Sequence, residues 1–266
     1  MSQATSGSPT PLVTVERRGP AAWITLNRPD AANALSRALV NELGAVVTAL
    51  AAEPLLRAVV VTGAGKTFCA GADLKERMEM APDEVRVFLD DLGNTLNALA
   101  ALPCPAIAAL NGAAFGGGLE LALACDLRIA VEGAAMGLVE ARLGIIPGAG
   151  GTQRLSRLVG VARAKELILT GRRIDAGIAR DLGMLARVVP AADLEAAAAD
   201  LVDEIAACAP LAIAQAKAAI DGGIALSLPG GLALEKRCYE VVLGSADRNE
   251  GLRAFAEKRR PVFEGK

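Results

Sequence analysis

Short apolar runs alternate with segments of helical periodicity through the first half of the chain. Each run is bounded by glycine, proline or a polar residue, which is typical of a buried strand. Strands are predicted at 21–27, 57–63, 106–112 and 126–133. Between them, apolar residues recur every three or four positions. This spacing predicts helices at 36–53, 82–102 and 118–126. The alternation of strand, turn and helix predicts an α/β fold.

The second half of the chain has a different pattern, because the strand signals fade beyond Thr152. Amphipathic helices are predicted at 154–171, 175–183, 194–208, 211–223 and 232–244. We therefore expect a disordered tail at 1–12, a core at 13–200 and a helical region at 201–266. These helices carry more apolar surface than a core of this size buries, so we expect them to contact other copies of the chain.

The amino-acid composition excludes several kinds of catalytic and binding site. The 266 residues include no histidine, which excludes Ser-His-Asp and Cys-His nucleophile systems and HExxH zinc sites. Acid–base chemistry is left to carboxyl groups, Lys, Tyr or Cys. The 28 basic and 30 acidic residues give a net charge of −2, and aromatic residues make up 3%. Neither the charge nor the aromatic content is that of a nucleic-acid-binding protein.

The cysteine pattern and the termini predict a cytoplasmic protein. Five cysteines, odd in number and with no CxxC pair, are expected to be reduced and mostly buried. The first residues contain neither the basic nor the apolar part of a secretory signal. The longest uncharged run, 92–119, contains two prolines and five glycines, which is wrong for a membrane span. We expect no membrane partner.

A glycine-rich turn is the first candidate for chemistry. Gly116, Gly117 and Gly118 follow the strand at 106–112 and immediately precede a predicted helix. Glycine leaves backbone N–H groups uncovered, and the start of a helix favours negative charge, so the turn is suited to a developing oxyanion. A tight turn needed for packing alone is the alternative interpretation.

Two glutamates in apolar sequence are the second candidate. Glu120 lies in the first turn of the helix that follows the glycines, and Glu140 lies 20 positions further on. Burial and mutual repulsion would raise the pKa of at least one carboxyl group toward neutrality, which suits an acid–base pair. A solvated acid at a helix start is the alternative for Glu120. The sequence alone does not bring the two residues together in space.

Four ordered motifs resemble the crotonase family, also called the enoyl-CoA hydratase/isomerase superfamily. They are FCAGADLKER at 68–77, ALNGAAFGGGLELALACDLRIA at 109–130, MGLVEARLGIIPGAGGTQRL at 136–155 and AFAEKRRPVFEGK at 254–266. The resemblance extends from about Val13 to the C-terminus. It implies an α/β spiral of ββα turns followed by a helical trimerisation region, in a homotrimer or a dimer of trimers.

The resemblance also implies the residues of a site that acts on acyl-CoA thioesters. The backbone N–H groups of Ala72 and Gly117 match the family's oxyanion hole, which stabilises an enolate. Glu120 and Glu140 match the two glutamates that hold one water for syn addition to a 2-enoyl-CoA. Glu120 would help to activate the water for attack at Cβ, and Glu140 would deliver a proton to Cα. No metal or redox cofactor is implied, because coenzyme A is part of the substrate.

Seven further positions match family residues that contact coenzyme A. They are Arg28, Ala70, Asp73, Leu74 and Lys75, with Phe255 and Lys258 of the C-terminal segment, which can reach a neighbouring subunit's coenzyme A. For Arg28, Lys75 and Lys258 the alternative is a solvated surface cation.

Three interpretations of the function stay open within the resemblance. The likeness is strongest to short-chain enoyl-CoA hydratases and 3-methylglutaconyl-CoA hydratases, and the paired glutamates favour hydration. A Δ3,Δ2-enoyl-CoA isomerase, which usually works with a single carboxylate, is the alternative. Some relatives are proposed to bind RNA through a lysine-rich helix, but the matching helix at 36–57 has no lysine and the isoelectric point is about 5.5. The sequence does not predict which acyl group is bound.

Overall fold

The computed structural model describes residues 10–266, and this part of the chain contains ten strands in two sheets. The strands are β1 (Val13–Arg18), β2 (Ala21–Leu26), β3 (Ala58–Gly63), β4 (Thr67–Cys69), β5 (Ala106–Leu110), β6 (Ala113–Phe115), β7 (Leu127–Val131), β8 (Ala135–Gly137), β9 (Ile174–Asp175) and β10 (Arg187–Val189). The larger sheet has the order β1-β2-β3-β5-β7-β10 and the smaller one the order β4-β6-β8-β9. β1 pairs antiparallel with β2, and β9 with β8. Every other pairing is parallel.

Eleven α-helices lie in the same part of the chain. They are α1 (Arg37–Ala51), α2 (Leu74–Glu79), α3 (Pro82–Ala100), α4 (Gly117–Ala124), α5 (Gly151–Val159), α6 (Val161–Thr170), α7 (Ala176–Asp181), α8 (Leu194–Ala206), α9 (Pro210–Gly223), α10 (Leu228–Leu243) and α11 (Ala246–Ala256). A 3₁₀ helix spans Glu140–Leu143. The predicted start of α1 is confirmed, because the Ser36 side chain accepts a hydrogen bond from the Leu39 N–H at 3.3 Å.

Successive turns of the chain repeat one unit. β3, β5 and β7 add to the larger sheet, and β4, β6 and β8 follow them and add to the smaller one. A helix follows each of these short strands. The expected spiral of ββα turns is therefore confirmed. Since β4, β6 and β8 are parallel neighbours, the segments that follow them meet at one edge of the smaller sheet. That edge is where the candidate residues gather.

A helix that crosses the predicted boundary between core and helical region packs on the larger sheet. α8 packs on β3, β5 and β7, and its Leu201 and Val202 belong to the buried core. The division predicted between residues 200 and 201 therefore falls inside a core helix, and the core extends to Ala206. Burial of the apolar face of α8 is the physical reason, because this face cannot be split between core and appendage.

Several elements differ from the sequence predictions. β9 and β10 lie beyond Thr152, where no strand was predicted. Both are at most three residues long and are held by pairing with β8 and β7, which local sequence does not reveal. The helix predicted at 154–171 is broken at Gly160, whose φ of +81° ends α5 before α6 begins.

The predicted N-terminal tail is only partly within the described residues. Residues 1–9 lie outside them. Leu12 packs against the core, and its N–H donates to the Glu42 carboxylate at 2.8 Å. The structured chain therefore begins before Val13, because Glu42 on α1 binds the backbone there. From residue 10 onward, no helix combines the length and apolar character that a bilayer crossing requires.

The last three helices, α9 to α11, form an arm with little buried surface. Their buried side chains are Cys238, Asp247 and Ala254. Their exposed apolar side chains include Ile220, Leu228, Leu232, Tyr239, Val241, Leu252 and Phe255. Lys217 of α9 forms an ion pair with Asp126 of the core. The prediction that most of the cysteines are buried is confirmed, since four are buried and Cys208 is exposed.

Candidate active site

Two backbone N–H groups lie side by side where β4 and β6 end. Gly71 has a φ of +100°, and a Cβ built on it would lie 2.7 Å from the Phe115 oxygen and 3.5 Å from the Gly117 nitrogen. A Cβ built on Gly117 would lie 3.8 Å from the Ala72 nitrogen. Among residues 10–266, neither the Ala72 nor the Gly117 N–H donates a hydrogen bond. Both groups are therefore available to bind one oxygen atom.

The glycine turn serves packing as well as chemistry. Gly116 has a φ of +50°, which favours glycine, and Gly118 approaches the Cys69 carbonyl so closely that a Cβ would lie 2.2 Å from its oxygen. The packing interpretation and the oxyanion interpretation thus describe different glycines of one turn. Gly116 and Gly118 bring the turn into place, and Gly117 presents its N–H.

Glu120 is held by backbone N–H groups inside the protein. Its side chain is 3% exposed, and Oε1 accepts hydrogen bonds of 2.8 Å from the N–H groups of both Ala149 and Gly151. Burial raises the pKa of Glu120, while these two hydrogen bonds and the positive charge of Arg154 oppose the rise. The alternative of a solvated acid at a helix start is therefore wrong for Glu120.

Glu140 is held differently. It begins the 3₁₀ helix after β8 and is 8% exposed, and its buried Oε2 has no hydrogen-bond partner among residues 10–266. Burial, reinforced by the negative charge of Glu120, raises the pKa of Glu140 to about 7. Its Oε1 lies 3.2 Å from a Cβ built on Gly116. Glu140 thus lies beside the glycine turn, with an unsatisfied oxygen and a pKa close to neutrality.

The walls around these groups are apolar. Leu35 and Leu92 contact the position that a Gly117 side chain would occupy, at 3.1 and 3.7 Å. Leu138 lies 3.0 Å from the corresponding position on Gly151. Such walls exclude water from the carboxyl groups and strengthen the electrostatic interactions among them. The arrangement is suited to moving protons next to an oxygen that develops negative charge.

The loop that holds Glu120 was missed as part of the site. Arg154 donates to the Ala149 carbonyl at 2.9 Å and to the Asn97 side chain at 2.7 Å. It thereby fixes the loop whose N–H groups bind Glu120. The glycines at 148, 150 and 151 were a signal that a backbone approaches closely there, but nothing local shows which residue it approaches.

The structure places the first five residues predicted to bind coenzyme A along one short stretch of surface. Arg28 forms an ion pair with Asp73 at 2.6 Å, and this hydrogen bond holds the pKa of Asp73 below its usual value. Asp73 also caps α2 by accepting from the Lys75 N–H. Ala70, Leu74 and Lys75 are exposed. Arg28 is therefore not a free surface cation, and its binding role stays a prediction.

Phe255 and Lys258 lie apart from this stretch in sequence and in their contacts. Phe255 is 86% exposed at the end of α11, and Lys258 follows it with a φ of +54°. In the described part of the chain neither side chain forms a hydrogen bond or ion pair with residues 70–75. Their predicted role across a subunit boundary stays a prediction.

Comparison with known proteins decides the family. The family model described as "Enoyl-CoA hydratase/isomerase" matches residues 16–266. The chain belongs to the enoyl-CoA hydratase/isomerase family. Within it, the chain is 51% identical over 245 residues to a Bacillus subtilis (strain 168) protein, YngF, whose name carries both activities, covering 92% of this chain and 94% of that one.

Two further relatives bear on fold and substrate. A mouse mitochondrial methylglutaconyl-CoA hydratase is 45% identical over 245 residues, which is 90% of this chain and 78% of that protein. The crystal structure of an enoyl-CoA hydratase from Bacillus anthracis superimposes with a TM-score of 0.94 at 49% identity, covering 96% of this chain and 100% of that chain. The crotonase fold expected from the four motifs is confirmed, and acyl-CoA thioesters are the substrates of this family.

Proposed function

We propose that this chain is an enoyl-CoA hydratase, which adds water reversibly across the double bond of a 2-enoyl-CoA thioester. The observation that carries the proposal is the pairing of two buried carboxyl groups, Glu120 and Glu140, beside the free N–H groups of Ala72 and Gly117. Hydration needs an acceptor for a proton of water, a donor for Cα and a partner for the enolate oxygen. These four residues supply all three.

In the hydration direction, the two N–H groups bind the thioester oxygen. The oxygen of water bonds to Cβ, one of its protons passes to the Glu120 carboxylate, and the electrons of the double bond move toward the thioester to give an enolate. The Glu140 carboxylic acid then gives its proton to Cα, and the thioester carbonyl re-forms. Each N–H contributes about 3 kcal/mol to the barrier reduction, by analogy with other oxyanion holes. Proton exchange with solvent resets the pair.

The surroundings of the two carboxyl groups support this division of roles. Glu120 accepts two backbone N–H hydrogen bonds, which favour its ionised form. Glu140 Oε2 has no such donor within residues 10–266, and its pKa is about 7. Near neutral pH, Glu140 is therefore the member of the pair that carries a proton, in roughly half of the molecules. The reactive state for hydration is ionised Glu120 with protonated Glu140.

Isomerisation is the second candidate function, and Glu140 is the observation that favours it. A Δ3,Δ2-enoyl-CoA isomerase moves one proton between two carbons, and one carboxyl group with a pKa of about 7 suits both halves of that transfer. The reaction would use the same oxyanion hole. In that case Glu120 would be a structural group that holds the loop at 149–151.

We also propose how coenzyme A and a second subunit complete the site. Arg28, Ala70, Asp73, Leu74 and Lys75 form the surface against which coenzyme A lies. Phe255 and Lys258, both exposed on the arm, contact the coenzyme A of a neighbouring subunit in a trimer or dimer of trimers. Coenzyme A belongs to the substrate, and the proposed reaction uses no metal or redox cofactor.

A spectrophotometric assay tests the hydratase proposal. Loss of the 2-enoyl chromophore of crotonyl-, tiglyl- or 3-methylglutaconyl-CoA is expected near neutral pH and is expected to persist with a metal chelator. Formation of that chromophore from a 3-enoyl-CoA would identify the isomerase instead. Protein that binds coenzyme A but leaves all these thioesters unchanged would contradict both activities and favour a binding protein.

Light scattering tests the assembly proposal. The mass of the assembly is expected to be three or six times the 27.1 kDa of one chain. Removing residues from Leu252 onward should weaken both assembly and coenzyme A binding, because Phe255 and Lys258 are lost with the segment. A stable monomer with full hydratase activity would contradict the proposal.

A further inference from the structure

A turn between β2 and α1 reaches the oxyanion hole and has no role in the reaction described above. Ala32 and Asn33 in this turn have φ angles of +51° and +54°. Asparagine adopts this left-handed conformation more readily than most residues, whereas alanine rarely adopts it. Such a conformation persists where the surrounding structure holds it. The turn is therefore fixed in one shape by its contacts.

The Asn33 side chain provides several of these contacts. It is fully buried, and its Oδ1 accepts a hydrogen bond from the Arg28 N–H at 2.9 Å, which closes the turn on itself. Its Nδ2 donates to the carbonyl oxygens of Ala64 and Thr67, at 2.9 and 2.7 Å, in the loop after β3 and at the start of β4. One side chain thereby ties the turn to the strand that leads to the oxyanion donor Ala72.

The end of the turn pairs with the backbone on both sides of Ala72. The Leu35 N–H donates to the Gly71 carbonyl at 2.8 Å, and the Leu35 carbonyl accepts from the Asp73 N–H at 3.1 Å. Leu35 and Ala72 thus form a parallel bridge of one residue. In such a bridge, the residue between the two hydrogen bonds directs its own N–H away from the partner segment. The pairing therefore leaves the Ala72 N–H available to a substrate.

Leu35 also contacts the second oxyanion donor. Its Cδ1 lies 3.1 Å from the position of a Cβ on Gly117, and its side chain is buried. The backbone of Leu35 thus locates one donor, and its side chain packs against the other. The Ala70 N–H donates to the Ala32 carbonyl at 3.0 Å, which keeps the turn in register with the segment that leads to Ala72.

We propose that Asn33 is a positioning residue for the oxyanion hole. It acts through Leu35, which contacts both donors. The proposal rests on the hydratase function proposed above, whose enolate these donors bind. Oxyanion donors lower a barrier when they are aimed at the oxygen beforehand, and a displacement of about 1 Å lowers a rate about 100-fold. Without its side chain at position 33, the turn loses three hydrogen bonds, and the Ala72 N–H is no longer held in place.

Asn33→Gly is the main test variant, because glycine keeps the left-handed backbone and removes the side chain. The first measurement is the infrared stretching frequency of the thioester carbonyl in bound butyryl-CoA, isotopically labelled at that carbon. In the wild type, two N–H donors are expected to lower this frequency below its value in water. Asn33→Gly should lose about half of this lowering, because one of the two donors is displaced. The kcat for hydration should fall about 10- to 100-fold, with a smaller change in KM.

Asn33→Asp is the conservative variant. It keeps the Oδ1 acceptor, and burial favours the protonated acid, which donates one hydrogen bond. Its carbonyl frequency and its kcat should lie between those of Asn33→Gly and the wild type. Should Asn33→Gly fail to fold, Asn33→Asp carries the same test with a smaller expected loss.

Asn111→Gly is the matched control. Asn111 binds the same loop after β3, since it accepts from the Gly63 N–H at 3.1 Å and donates to the Gly65 carbonyl at 3.0 Å. Within residues 10–266 its side chain forms no hydrogen bond with the turn at 28–35. This variant should lower stability and leave the carbonyl frequency unchanged. A wild-type frequency in the folded Asn33 variants, or an equal loss in Asn111→Gly, would overturn the proposal.

The infrared measurement also separates this proposal from the hydratase proposal, because butyryl-CoA cannot be hydrated. If the wild type hydrated no 2-enoyl-CoA but Asn33→Gly lost the lowering of the carbonyl frequency, the hydratase function would fail and the positioning role would stand. An active hydratase whose carbonyl frequency is the same in Asn33→Gly would overturn the positioning role and leave the hydratase function intact.

Discussion

The two carboxyl groups of the site have different surroundings. The loop at 149–151 surrounds Glu120 with N–H donors and is itself tied down by Arg154. The 3₁₀ helix at 140–143 buries Glu140 and leaves its Oε2 without a partner among the described residues. At Glu120 the two hydrogen bonds support the ionised form against the rise in pKa that burial causes, whereas Glu140 has no such donors and its pKa rises to about 7. Two chemically identical side chains are thereby given different tasks, and the experiments below change one environment at a time.

Removing either carboxyl group should have the largest effect. Glu120→Gln and Glu140→Gln are each expected to lower kcat for hydration by about 100- to 10,000-fold with little change in KM, since each acts mainly in the transition state. Glu132→Gln, which alters an exposed glutamate in the turn before β8, is the control and should have normal activity. Near-full turnover in Glu120→Gln together with an inactive Glu140→Gln would replace hydration by isomerisation.

The dependence of activity on pH should report the shared proton. Hydration starts from ionised Glu120 with protonated Glu140, and dehydration starts from the reverse arrangement, but both contain one proton. Both directions should therefore follow the same bell-shaped profile of kcat/KM. Activity should fall as pH rises above about 7, where Glu140 loses its proton. Profiles that run in opposite directions, or a constant rate between pH 6 and about 9, would contradict a shared proton.

Removing the side chain that holds the loop at 149–151 should have an intermediate effect on activity. Arg154→Met removes the hydrogen bond to the Ala149 carbonyl and a positive charge near Glu120. We expect kcat to fall about tenfold with KM nearly unchanged, the equivalent of one charged hydrogen bond. The acidic limb of the pH profile should move to higher pH, because the ionised form of Glu120 loses support. Arg157→Met is the control, and an unmoved acidic limb would show that Arg154 does not position Glu120.

Burial of the Glu140 carboxyl group should lower the free energy of unfolding by an amount that depends on pH. Its raised pKa means that the folded state favours the protonated form, so the free energy of unfolding should fall as pH rises from about 4.5 to about 7. Glu140→Gln removes this loss and should be more stable than the wild type by up to about 3 kcal/mol at alkaline pH. Denaturant unfolding at pH 5 and at pH 8 measures the difference. An equal effect at both values would contradict the raised pKa.

The sequence predicted much of the fold because its signals are local. Buried strands such as β3 and β5 are continuous apolar runs, and Ser36 marks the start of α1. β10 could not be predicted in this way, since three residues are held there by pairing with β7 across a long stretch of intervening chain. Gly160 lies inside a continuous helical pattern of apolar residues, so the sequence did not reveal that its positive φ angle separates α5 from α6.

The sequence indicated residues of the candidate site but not the difference between the surroundings of its two glutamates. The four motifs indicated Ala72, Gly117, Glu120 and Glu140 through their resemblance to a family. The partners of Glu120, Ala149 and Gly151, donate through backbone N–H groups, which every non-proline residue possesses, so residue identity gives no signal.

Exchange of the Cα proton tests the division of roles most directly. Butyryl-CoA has no double bond to hydrate, so exchange of its Cα hydrogens with D₂O needs only the oxyanion hole and the group that moves the Cα proton. At pH 8, where Glu140 is mostly ionised, Glu120→Gln should retain this exchange and Glu140→Gln should lose it. Exchange that survives in Glu140→Gln and disappears in Glu120→Gln would contradict the roles assigned here to the two carboxyl groups.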